Sequence, residues 1–158
     1  MRPLNRSLTI PLLLLLWAVL VVGSRGVSMT MDEPYHIARG YAYLARGRQG
    51  SWYFSYANNP PLLNAVQAGL IYLGDPDIPL EALGGWGSSF KSYANAIIPY
   101  LLPLERAELF ARMPSWFLSV VLAAVVVRWT KSLAGSLPGL VALFLYVLDP
   151  LILGNGRL

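Results

Sequence analysis

The sequence predicts a mostly α-helical integral membrane protein. It should have about three transmembrane helices and a long extracytoplasmic loop carrying short amphipathic helices. Three observations lead there. Of 158 residues, 56% are hydrophobic and only 13% are charged, where a soluble domain carries roughly 25% charged residues; the mean hydropathy is +0.52. The apolar residues gather into three separate runs near the ~20-residue length a span requires. Lys and Arg stand at the ends of those runs, where they set orientation. The same composition excludes a disordered chain, which would be charge-rich and poor in aromatics. The absence of Cys excludes a disulfide scaffold and a thiolate metal site. The net charge is +4, but the basic residues are scattered, with no block interleaved with aromatics. Lipid head groups or phosphate-bearing lipids suit that pattern, and nucleic acid does not.

The first run, LTIPLLLLLWAVLVV from Leu8 to Val22, follows Arg2 and Arg6. A secretory signal also has a basic start and a short apolar stretch, and Val22-Gly23-Ser24 would serve as its cleavage site. A retained span over 8–24 is preferred, because further apolar runs follow. The second span is expected near 113–130, from Pro114-Ser115-Trp116 to Arg128 and Lys131. The preceding LERAELFARM suits a helix that would extend it outward, with Pro114 as a kink at the join. The third is expected near 137–153, interrupted by Asp149-Pro150, which reads as an interfacial turn. Arg2 and Arg6 place the N-terminus in the cytoplasm. Arg128 and Lys131 return the second span there, so residues 25–112 form an outer loop.

That loop is too apolar to be a plain linker. Asp32 and Pro34 are suited to start a helix, Ile37, Tyr41 and Leu44 share one face, and Gly47 is a natural stop. Asn59-Pro60-Pro61 starts a second helix whose apolar stripe is Leu62, Val66, Leu70 and Leu73, interrupted by Asn64 and Gln67, and which Gly74 ends. It is too short to span and suits a position along the membrane surface. Between the two helices, Ser51 to Tyr56 (SWYFSY) is an aromatic cluster of the kind found at membrane boundaries. The stretch Gly84 to Asn95 is rich in Gly and Ser and is expected to be a mobile loop.

The segment Met31-Asp32-Glu33-Pro34-Tyr35-His36 places two adjacent carboxylates beside the only His. A carboxylate there can act as a general base for an incoming hydroxyl; equally, Asp is a common N-cap and Glu a common first-turn residue. Asp32 and His36 share a helix face but give only two ligands, where zinc needs three or four. No metal and no cofactor are therefore expected. Asn59 belongs to a capped helix start. Arg106 and Arg112 lie just outside the second span, placed either to snorkel to head groups or to grip a lipid phosphate.

Taken in order, these motifs form a recognisable series. A basic N-terminus and first span are followed by DE-P-x-H with a YAYL helix, then N-P-P-L-L leading an apolar helix. Next come E-R-x-x-x-x-A-R-M-P-S at the second span and D-P-x-x-x-x-x-G-R-L after the third. The series resembles the N-terminal part of the C-type integral-membrane glycosyltransferases, in particular the protein O-mannosyltransferases and lipid A aminoarabinose transferases. The resemblance implies transfer of a sugar from a polyprenyl-phosphate carrier to an extracytoplasmic protein, lipid or glycan acceptor, usually with inversion. It makes Asp32 the expected catalytic base with Glu33 beside it. His36, Asn59, Arg106 and Arg112 are then substrate-side residues, with Arg112 the first choice for the phosphate. The family often has His-Pro-Pro where this chain has Asn59-Pro60-Pro61. Its members are several times longer, so the chain is expected to be the N-terminal piece of a multi-span enzyme in a bacterial plasma membrane. The alternative is a small non-enzymatic membrane accessory or scaffold protein, or an inactive remnant, with Trp52, Tyr53, Phe54 and Tyr56 as its contact surface.

Overall fold

The computed structural model describes residues 4–30, 32–47, 61–101 and 103–156. Among them the chain is mostly helical and contains no strand. The α-helices are α1 (Leu4–Ser24), α2 (Glu33–Arg46), α3 (Pro61–Gly74), α4 (Phe90–Ile97), α5 (Leu104–Ala134), α6 (Ser136–Leu148) and α7 (Pro150–Gly156). Short 3-10 turns lie at Leu80–Ala82 and Ile98–Tyr100. The chain divides into two compact units, one of Ser28–Pro114 and one of Met1–Val27 with Ser115–Leu158.

In the Ser28–Pro114 unit, α2 packs against α3. Ile37, Ala38, Tyr41 and Ala42 of α2 are buried together with Ala68 and Ile71 of α3. The helices meet at Gly40, where a Cβ would lie 1.9 Å from the Asn64 carbonyl oxygen and 2.8 Å from Ala68 Cβ. Only glycine permits that approach. The face of α3 that packs is therefore its small-residue face, Asn64, Ala68 and Ile71. Leu62, Leu63, Val66, Leu70 and Leu73 point outward and are exposed. The leucine stripe, expected from the sequence to lie along the membrane surface, takes no part in this crossing. The close crossing selects small residues instead, because a leucine row would hold the backbones apart.

The segment expected to be a mobile loop is partly helical. Gly85, at φ +88, forms the turn before it. Ser89 then caps α4, its side chain accepting from Ser92 N. Phe90, Tyr93, Ala94 and Ile97 recur at helical spacing, and Tyr93, Ala94 and Ile97 are buried. A burying stripe with a cap outweighs the flexibility of the Gly and Ser that precede it. Tyr93 donates to the Ala38 carbonyl at 3.1 Å and meets Trp86 edge-on. The Tyr41 hydroxyl donates to the Asp75 carbonyl, and burial pushes that phenol up to about 12. On the surface Arg46 forks onto Glu81 through Nε and NH2.

In the second unit, Leu16 and Leu20 of α1 are buried with Ala123 and Val127 of α5 and Leu143 and Val147 of α6. Trp116 Nε1 donates to Ser24 Oγ at 3.1 Å, and Ser24 Oγ in turn donates to the Leu20 carbonyl at 2.7 Å. Lys131 lays its stem against Gly139 and donates to Thr9 Oγ1 at 2.8 Å. The outward positions are apolar, among them Ile10, Leu14, Phe117, Val121, Leu122, Phe144 and Leu145. α5 runs unbroken through Pro114. Among the described residues one helix, Arg106–Ala134, is long and apolar enough to cross a membrane. A second crossing exists if α6 and α7, bent 59° at their junction, count as one span. Asp149 sits in that junction, and its Oδ1 accepts from Leu151 N at 2.8 Å and Ile152 N at 3.3 Å. The aspartate therefore caps α7, which explains the break in the apolar run.

Candidate functional site

The residues singled out around position 32 gather at the start of α2. Pro34 presets the first turn of that helix, and Gly47 closes it with its N–H on the Tyr43 carbonyl. Asp32 occupies the N-cap position, but its side chain makes no capping hydrogen bond. Its backbone carbonyl accepts from Tyr35 N and His36 N. The carboxylate is exposed, next to the positive end of the helix dipole, where an anion is favoured.

Glu33 does the local bonding instead. Its Oε2 accepts from Thr30 N at 2.7 Å. Both oxygens also face Arg112 of α5: Nε to Oε1 at 2.7 Å and NH2 to Oε2 at 2.8 Å. Arg112 NH2 also reaches the Ser28 carbonyl at 3.3 Å. The two side chains are 1% and 8% exposed, so this is a buried, two-pronged ion pair. Such a pair fixes geometry because both charges have lost water and each needs the other.

Two of the residues expected at the substrate, Glu33 and Arg112, are thus bonded to each other. Glu33 is held by a guanidinium and a backbone amide rather than offered to a substrate. Nε and NH2 of Arg112 are both engaged by Glu33. Both residues position the segment that carries Asp32.

His36 lies one turn further along α2. Its Nδ1 is 2.9 Å from Asn64 Oδ1 on α3. With Asn64 Oδ1 accepting, the imidazole carries a proton on Nδ1. Asn64 is 3% exposed, and its Nδ2 has no hydrogen-bond partner among the described residues. Asn59, expected beside this group, lies outside the described residues, as does the aromatic cluster at 51–56.

Arg106 is not part of the group. It is exposed and lines a separate cavity of about 240 Å³ with Asp75, Ile78 and Phe110. Among the described residues no set of three or more His, Asp or Glu is placed to hold a metal ion.

Two residues that the sequence did not single out join the site. Asn64 pairs with His36; its signal was a buried-type polar residue inside an apolar helix. Arg39 is buried, lies 4.2 Å over the Phe90 ring and interacts electrostatically with Asp32. Burial pushes its guanidinium down from the ordinary arginine range, and Asp32 opposes that shift. Its signal was the seven-residue interval from Asp32, two helical turns along one face. The site is thus an open carboxylate backed by a locked ion pair, a hydrogen-bonded imidazole and a stacked guanidinium. No protein-family model, curated protein or solved structure matches the chain.

Proposed function

We propose that the chain is a membrane-embedded glycosyltransferase component that moves a sugar from a polyprenyl phosphate to an acceptor hydroxyl outside the cytoplasm. Asp32 is its general base. The observation that carries this reading is the exposed, uncapped Asp32 carboxylate, held in place by the buried Glu33–Arg112 pair. A side chain serving only as a helix cap would accept from the first backbone amides, and this one does not. The order of short motifs along the chain supports the same reading.

In the proposed reaction Asp32 takes the proton of the acceptor hydroxyl. The hydroxyl oxygen attacks the anomeric carbon as the bond to the phosphate oxygen breaks, and that electron pair leaves on the polyprenyl phosphate. His36 and Arg39 flank the base and bear on how the acceptor is oriented.

The membrane setting belongs to the same proposal. α1, α5 and the α6–α7 pair serve as three spans, and the outward leucines of α3 lie against lipid. The test uses membranes bearing the protein expressed from its own locus and a panel of labelled polyprenyl-phosphate sugars. Asp32→Asn should lower transfer at least about 100-fold, the usual contribution of a general base, with protein level and Tm unchanged. Full transfer by that variant would overturn the assignment.

A further inference from the structure

The Ser28–Pro114 unit contains a second candidate site with no part in the proposed transfer chemistry. The end of α3, the turn after it and the start of α5 enclose the cavity of about 240 Å³. Its walls are Ile71, Ile78, Leu101, Ala107 and Phe110, so most of its surface is apolar. Two charged residues also line it: Asp75 and Arg106. Both are exposed, and among the described residues neither is in an ion pair.

That combination is unusual on chemical grounds. Opposite charges sharing one small cavity normally close on each other. Here, among the described residues, no salt bridge joins them. The turn bearing Asp75 is fixed: its amide donates to the Ile71 carbonyl at 3.0 Å, and its own carbonyl accepts from the buried Tyr41 hydroxyl. Arg106 stands on the first turn of α5, its amide bonded to the Pro103 carbonyl at 3.0 Å. Both charges are therefore carried on backbone that is held by hydrogen bonds.

We propose that this cavity binds a zwitterionic amino-phosphate lipid head with the first part of one acyl chain. The phosphate meets the Arg106 guanidinium, which suits it in shape and charge. The primary ammonium meets the Asp75 carboxylate, and the alkyl segment lies along Ile78, Leu101 and Phe110. A purely anionic head satisfies Arg106 but faces Asp75 with like charge. A choline head carries the positive charge without an N–H to donate. The pocket thus selects phosphoethanolamine lipids by complementarity at both ends.

Native mass spectrometry of the full chain in a neutral maltoside detergent tests this. Lysophosphatidylethanolamine, lysophosphatidylglycerol and lysophosphatidylcholine of one chain length compete for the protein. The ethanolamine lipid should be retained about tenfold above the other two, the worth of one charge-assisted hydrogen bond. Arg106→Ala should weaken the ethanolamine and glycerol lipids together. Asp75→Asn should abolish the ethanolamine preference while keeping or raising glycerol-lipid retention. Equal retention of all three lipids by the unmodified chain, which needs no variant to be stable, would overturn the proposal. So would an ethanolamine-to-glycerol ratio that Asp75→Asn leaves unchanged. Neither result bears on Asp32, so this site and the transfer reading stand or fall separately.

Discussion

At residue scale, the buried pair between Glu33 and Arg112 dominates the site. Removing one partner strands the other charge without water. Glu33→Gln should therefore destabilise the protein by about 3–5 kcal/mol, read as a lower Tm in detergent. The double variant Glu33→Gln with Arg112→Met should recover much of that loss, because neither charge of the pair remains. The pair at the surface behaves differently. Arg46 holds the Glu81 carboxyl down at about 2, from an ordinary 4.5. A depressed folded pKa means that this contribution is present above the unfolded value and is lost as pH falls toward about 2. Between about pH 5 and about pH 2.5, Tm should therefore fall less in Arg46→Met than in the unmodified chain. The sequence made Asp32, Glu33 and His36 legible as a group through their adjacency. It did not reveal that Glu33 is used internally while Asp32 is not, since that depends on Arg112 arriving from 79 residues away.

At element scale, the α2–α3 crossing rests on one glycine. Gly40→Ala would push a methyl group into the Asn64 carbonyl. It should lower stability by about 1–3 kcal/mol or more, the cost of overpacking a closed contact. Gly69, on the same helix as Asn64, has nothing within 4 Å of its would-be Cβ. Gly69→Ala should therefore stabilise α3 by about 0.8–1 kcal/mol, its gain in helix propensity. Opposite shifts in Tm from the two substitutions would check both claims together. The helices themselves were readable from caps, prolines and glycines: 33–46 and 61–74 fall within two residues of the intervals expected. Which face of α3 packs was not readable. Periodicity reports where apolar residues cluster, and here they cluster on the outer face. α4 was missed because its composition resembles a linker, and only the spacing of Phe90, Tyr93, Ala94 and Ile97 identifies it.

At the scale of the whole molecule, the chain carries no Cys, which suits single-cysteine mapping of the proposed topology. Ser88 and Ser132 are both exposed. On the proposed arrangement, Ser88→Cys should react with an impermeant maleimide on intact cells, or on spheroplasts if an outer membrane intervenes. Ser132→Cys should react only after permeabilisation. Equal reaction of both before permeabilisation would overturn the orientation drawn from Arg128 and Lys131. The three apolar runs were legible from composition, and their helices occupy the expected stretches. The outward extension expected from LERAELFARM forms the first turns of α5, and the helix continues through Pro114. The apolar third run is divided because Asp149 supplies the cap that begins a new helix.

The division of the chain also sets an order in time. The unit of Ser28–Pro114 is one continuous stretch, whereas the other draws Leu16 and Leu20 together with Leu143 and Val147 from the far end. During synthesis the continuous unit can complete its buried ion pair soon after Arg112 emerges. α1 must wait for α6, a delay on the order of seconds at ~5–20 residues per second. Through that interval the first helix has made none of its contacts with α6. The first part of the chain that can meet it is α5, through Trp116 on Ser24 and Lys131 on Thr9.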